Sequence, residues 1–244
     1  MGILEGGIKE GSFVGDFSLE SVREAEGEES VTYEAIEVNS FSQAVEEILA
    51  KGDNKQSFCF VDFDQTLTGP DLRNVRDPQI SNKVKDSFNK LLGKFSPGRL
   101  CLTTNRGYGS SVLGNLVFRT DKALDKMTEL LEESNYPGTV PIFLGLEKQV
   151  PNLKTNGRAE LVNHLVDLII NSGFEGHIDF YVIEDASLLG LDRSVFPKEI
   201  ARDVHKKLKE EHQREVMVGI KDYVLKHKEM GDTGLEPVTS TMSM

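Results

Sequence analysis

The chain reads as an α/β protein, a three-layer sandwich with a central parallel sheet, on three observations. Short apolar runs that look like strands (QSFCFVDFD, GRLCLTTN, VPIFLGL and IDFYVIED) alternate with stretches whose apolar residues recur at helical spacing. The runs are nearly continuous in apolar character, which suits strands buried on both faces and joined by helices. Polar residues gather at their carboxyl ends, where ligands sit in sheets of this kind.

Taken in order, residues 1–39 are acidic and rich in Gly, Ser and Glu, with only a weak alternation in GEESVTYEAIEV, and predict a flexible or peripheral lead-in. SFSQAVEEILAKG then predicts a short amphipathic helix, with Ser40 and Gln43 spaced as a capping box and Val45, Ile48 and Leu49 on one face. From QSFCFVDFD onward, strand and helix alternate: KVKDSFNKLLGKF, DKALDKMTELLEES and RAELVNHLVDLIINSG lie between the strands, and PKEIARDVHKKLKEEHQREV follows the last. The expected catalytic domain covers residues 40–230, and residues 231–244, which lack periodicity, are expected to be a disordered tail.

With 244 residues and 38% hydrophobic content the chain is long enough for one sizeable core. No apolar run approaches a bilayer span and no basic-then-apolar leader opens the chain, so a soluble, cytoplasmic protein without membrane contact is expected. A net charge of -12 argues against nucleic acid as a partner. The only cysteines, Cys59 and Cys101, lie inside apolar runs and are expected to be buried, reduced thiols at similar depth on neighbouring strands. None of the five histidines has a catalytic spacing.

The strongest chemical signal is FCFVDFDQTLTGP, an apolar strand running directly into Asp62, Asp64, Thr66 and Thr68. Side chains two apart on a strand share a face, so Asp62 and Asp64 are expected to look into one crevice. Carboxylates that close repel unless a cation lies beside them, and Mg2+ both answers this need and binds phosphate oxygens. A second strand ends in LCLTTNRG and a fourth in the adjacent acids Glu184 and Asp185.

The DFDQT run resembles the first motif of the haloacid dehalogenase superfamily (HAD-like, Rossmann-like) phosphatases. The resemblance implies that Asp62 attacks phosphorus to form an aspartyl phosphate, and that Asp64 protonates the leaving group and then activates water. It also implies that Thr104, with Thr103 as the alternative, hydrogen-bonds the phosphoryl group beside Asn105. Lys154 would neutralise the phosphate, with Arg158 and Lys148 as rivals because KTNGRAEL departs from the usual lysine motif. The same resemblance makes Asp185 a metal ligand and Glu184 a second ligand or outer partner, alongside Asp62 and Asp64; Asp192 reads as a loop or capping residue. It further implies that the nucleophile's strand is central, between the LCLTTN strand and the acidic one.

Arg106 and the GYGSS behind it are candidates to meet the substrate, or simply a βα loop. Gly69 to Asn82 is too short for a folded cap, and Arg106 to Pro151 is largely consumed by one helix and one strand. The expected function is therefore a magnesium-dependent phosphohydrolase with an open site, in a family where open sites accompany macromolecular substrates such as phosphoproteins. Competing readings are a phosphotransferase, a receiver-type phosphoacceptor and a non-catalytic module that binds a protein partner.

Overall fold

A computed structural model of the chain describes residues 30–51, 56–69, 77–104, 106, 110–113, 116–144, 157–185 and 195–226, the side chains of 110–113, 116–119, 195 and 196 excepted. The fold is α/β, a Rossmann-like three-layer sandwich. Its six-stranded sheet runs in the order β1 (Val31–Val38), β8 (Val216–Leu225), β7 (Gly176–Asp185), β2 (Ser57–Asp62), β3 (Leu100–Thr104) and β6 (Ile142–Leu144). Every neighbouring pair in it is parallel. A separate antiparallel hairpin, β4 (Ser110–Leu113) and β5 (Leu116–Arg119), follows β3.

Helices α1 (Phe41–Ala50), α2 (Asn82–Lys94) and α3 (Thr120–Glu133) pack on one face, and α4 (Gly157–Asn171) and α5 (Val195–His212) on the other. Two dry cores result. Ile48, Leu91 and Met127 meet Cys59, Val61, Leu102 and Ile183 on the first face. Leu165 and Val204 meet Phe58, Phe60, Phe180 and Val182 on the second. The alternation of faces along each strand makes both layers possible from one run of apolar residues.

Direction explains which helix goes where. Steps from β2 to β3 and on to β6 move one way across the sheet, while β6 to β7 to β8 moves the other. Right-handed crossovers then send the connecting helices to opposite faces. The reversal falls between β2 and β7, a switch point of the type at which α/β sheets bind ligands.

Helix starts follow local chemistry. Ser40 caps α1 by accepting from the Gln43 backbone N–H at 3.2 Å, and the Gln43 side chain accepts from the Asn39 N–H at 3.0 Å. Ser81 caps α2 through the Val84 N–H. Gly157 opens α4 because the helix abuts the end of β6: a Cβ there would lie 1.8 Å from the Leu144 carbonyl oxygen.

Two strands were not anticipated. Residues 31–38, assigned to a flexible or peripheral lead-in, form edge strand β1 against β8, so the sheet begins before residue 40. The expected last helix reached Val216, whereas α5 ends at His212 and VMVGIKDYVL forms β8. Residues 1–29 and the expected tail at 231–244 lie outside the described residues. Cys59 and Cys101 are free, buried and on neighbouring strands; Cys59 faces the first core and Cys101 the second, one register step apart. Burial pushes both thiols up, so they are inert packing residues. No helix among the described residues is long and apolar enough to cross a membrane.

Candidate active site

The three polar strand ends found in the sequence lie side by side, because β2 sits between β3 and β7. Asp62 pairs in register with Thr103, and the Val61–Ile183 pair places Asp62 level with Glu184 by one further step. Residues level on neighbouring strands share a face, so Asp62, Thr103 and Glu184 project on the side of the second core. Thr104 and Asp185 alternate to the other side.

Asp62 ends β2 and is nearly buried, and its Oδ2 accepts from the Thr66 hydroxyl at 3.2 Å. The strand does not continue to Asp64. Phe63 inserts into the first core, its N–H donating to the Thr103 carbonyl at 3.0 Å, and the chain turns so that the Leu67 and Thr68 N–H groups donate to the Phe63 carbonyl. Within this turn Gln65 has φ 60°, left-handed for a residue with a side chain, and its N–H is held by the Thr68 hydroxyl at 3.1 Å. Such strain costs about 1–2 kcal/mol and persists where surrounding bonds impose it, commonly at functional sites. The Thr residues of DFDQTLT thus close the turn that presents the acids.

Asp64 consequently has partners of its own. Its carboxylate is clasped by Arg106, with Nε at 2.9 Å from Oδ2 and 3.1 Å from Oδ1, and Nη2 at 2.5 Å from Oδ1. Thr104 Oγ1 donates to Asp64 Oδ2 at 3.0 Å while accepting from the Arg106 N–H at 3.2 Å. The guanidinium lies 5.8 Å from the Phe63 ring centre and Arg106 is only 3% exposed. Asp62 and Asp64 are therefore held by different groups, where strand alternation alone had them sharing one face.

Glu184 and Asp185 are both buried at the end of β7. Glu184 shares a hydrogen bond with Asp222 of β8, a fully buried acid that the sequence reading missed. The Tyr33 hydroxyl of β1 donates to Asp222 Oδ2 at 2.7 Å, and the Lys198 ammonium of α5 lies 4.5 Å from the Tyr33 ring centre. Burial pushes the Asp222 carboxyl up to about 6, against the lowering effects of Tyr33, Glu184 and Lys198. The available signal was one Asp inside the apolar run VMVGIKDYVL.

Of the three candidate phosphate cations, Arg158 is engaged elsewhere: it ties α4 to α5 through Glu199 and Asp203. Lys148, Lys154, Asn105 and Asp192 lie outside the described residues. Among the described residues, no group of three or more His, Cys, Asp and Glu side chains stands together as a metal cage. The acids that end β2 and β7 offer carboxylate oxygens, the chemistry of a hard cation. Mg2+ is commonly held by one or two carboxylates and completed by water and substrate phosphate. The residues present fit that type of site and do not fit a dedicated protein cage.

No protein-family model, no curated protein and no solved structure matches this chain.

Proposed function

We propose that the chain is a magnesium-dependent phosphohydrolase acting on a phosphomonoester through an aspartyl phosphate on Asp62. One observation carries the reading. The Asp62 strand occupies the switch point of a parallel sheet, with the Thr103–Thr104 end on one side and the Glu184–Asp185 end on the other. This is the order of strands that the resemblance to haloacid dehalogenase-type phosphatases implies.

In this reading Asp62, steadied by the Thr66 hydroxyl, attacks phosphorus in line. Asp64 gives a proton to the leaving oxygen and then takes one from the water that hydrolyses the acyl phosphate. Thr104, or Thr103 on the Asp62 side of the sheet, and Lys154 bind phosphoryl oxygens, and the backbone after Asp62 supplies further donors. One or two carboxylates from among Asp62, Asp64, Glu184 and Asp185 would hold magnesium, of which Asp62 and Glu184 are level on neighbouring strands. A bound magnesium ion supplies charge neutralisation and Lewis-acid polarisation of the phosphoryl oxygens. The family resemblance makes a phosphoprotein one class of substrate.

The test is turnover of p-nitrophenyl phosphate by the full chain. Asp62→Asn is expected to lower kcat by about a thousandfold or more with unchanged folding. Removing divalent cations with EDTA is expected to lower it by about a hundredfold or more, with recovery on added Mg2+. Full activity in Asp62→Asn would end the mechanism.

A second reading, a non-catalytic module that keeps this fold, is favoured by the clasp of Arg106 on Asp64, which occupies the proposed acid and base. It requires a folded protein with no turnover across a panel of phosphomonoesters.

A further inference from the structure

Arg106 stands outside the chemistry proposed above, yet among the described residues it is the most deeply buried cation near it. Its guanidinium makes three contacts with Asp64, and Thr104 Oγ1 takes up part of the remaining capacity of Asp64 Oδ2. Both oxygens of Asp64 are thus occupied, and a carboxylate so held cannot also reach a leaving oxygen. A planar guanidinium binds a phosphoryl dianion through the same two-pronged geometry that it uses for a carboxylate. The residues bridging the pair are already those of the phosphate side: Thr104 bonds both Asp64 and the Arg106 backbone.

We propose that Arg106 is the recognition residue for the substrate's phosphoryl dianion and that it exchanges Asp64 for that group, so that Asp64 is released for proton transfer only when a phosphomonoester occupies the site. This rests on the phosphohydrolase reading and adds to it a recognition residue and a gate. A monoester dianion offers two charged oxygens to the fork and competes well with the Asp64 carboxylate. A diester monoanion offers one charge and competes poorly, so the site discriminates against diesters through Arg106 and not through shape alone.

The exchange makes a prediction opposite to that of a simple structural pin. In Arg106→Gln the recognition fork is lost while Asp64 is permanently released. KM for p-nitrophenyl phosphate and the inhibition constant for inorganic phosphate should therefore rise together, by about tenfold or more, with kcat preserved to within about threefold. Arg106→Lys, which retains charge without the fork, should fall between. A pin gives the reverse pattern: kcat falls in Arg106→Gln while KM and the phosphate inhibition constant stay put, and that result would overturn the proposal.

Two further measurements keep the test decisive. Calorimetric binding of inorganic phosphate by the full-length wild type, compared with Arg106→Lys, reads recognition without turnover and without the more disruptive substitution. Phosphate binding that weakens by about threefold or more in Arg106→Lys upholds the role of Arg106 even if no ester is hydrolysed, in which case the hydrolase reading alone fails. Hydrolysis abolished by Asp62→Asn, together with phosphate binding indifferent to Arg106, upholds the hydrolase and removes the gate. Absence of both turnover and phosphate binding removes both.

Discussion

The centre of the sheet and its β8–β1 flank solve the problem of burial differently. β2, β3 and β7 are apolar on both faces through Phe58–Val61, Leu100–Leu102 and Phe180–Ile183. Asp62, Glu184 and Asp185 stand where the strands end, and Asp179, nearer the start of β7, lies beside His177 and Lys221. β8 is just as deeply placed between β7 and β1, yet it carries Asp222 in mid-strand at zero exposure, and β1 mixes half-buried with exposed positions and buries only Val38. The centre keeps charge out of those stretches, and its one acid inside a strand, Asp179, has Lys221 at 3.7 Å. The flank instead compensates an internal acid with a phenol from β1, a neighbouring carboxyl on β7 and a lysine on α5. The Asp64 acid at the edge of the centre takes a third course, a direct ion pair with a buried arginine.

The largest effect expected from this contrast is in the centre. Phe58 is fully buried and meets Phe174 and Phe180 edge-on, with ring centres 6.1 and 5.8 Å away. Phe58→Ala should cost about 3–5 kcal/mol in chemical denaturation, combining lost burial with a cavity that close packing cannot fill. A cost below about 1 kcal/mol would break the picture of a dry, rigid centre.

The same contrast explains what could be read from the amino-acid sequence. FCFVD, LCLTT and the FYVIED part of IDFYVIED stand out because unbroken apolar runs read as complete burial, and polar residues at their ends then mark a crevice. VMVGIKDYVL hides because Lys221 and Asp222 interrupt the run and follow a highly charged helix, so the segment merges with a solvated helix end. VTYEAIEV hides because an edge strand has one wet side and so carries Glu34 and Glu37. The clasp of Arg106 on Asp64 was out of reach for another reason. Strand alternation puts Asp62 and Asp64 on one face, and only the turn through Gln65 sends Asp64 elsewhere. Periodicity describes a strand and says nothing about where it stops.

A smaller effect, with the opposite sign, is expected from the flank. The folded state holds the Asp222 proton more tightly than the unfolded chain, since its carboxyl lies at about 6 against an ordinary 3.8. Its contribution therefore favours folding at low pH and is lost as pH rises through about 4 to 6, leaving a penalty on the order of 2–3 kcal/mol above that window. An asparagine in place of the acid would accept from Tyr33 and donate to Glu184 with no charge to bury. Asp222→Asn should thus be more stable than wild type at pH 7.5 in EDTA and equal to it below pH about 4, by urea denaturation at each pH. A variant less stable than wild type at both values would mean that the buried acid is fully compensated, and the contrast between flank and centre would disappear.

The smallest effect asks whether β1 belongs to the same cooperative unit. The Tyr33 hydroxyl is the polar link from that edge strand to Asp222, at 2.7 Å, and a bond to a charged acceptor is worth more than one to a neutral acceptor. Tyr33→Phe should cost about 1–2 kcal/mol at pH 7.5 in the wild-type background but only about 0.5–1 kcal/mol when combined with Asp222→Asn. The difference is the coupling between the phenol and the acid, and it should shrink toward zero below pH about 4, where Asp222 is protonated whether folded or not. Additive costs at both pH values would mean that Tyr33 acts through packing beneath Lys198 alone, and that β1 lies against the sheet without contributing to the charge balance of β8. A coupled result makes the edge strand part of the electrostatic support for Glu184, so that a segment resembling a loose leader in the sequence reaches the candidate site through two hydrogen bonds.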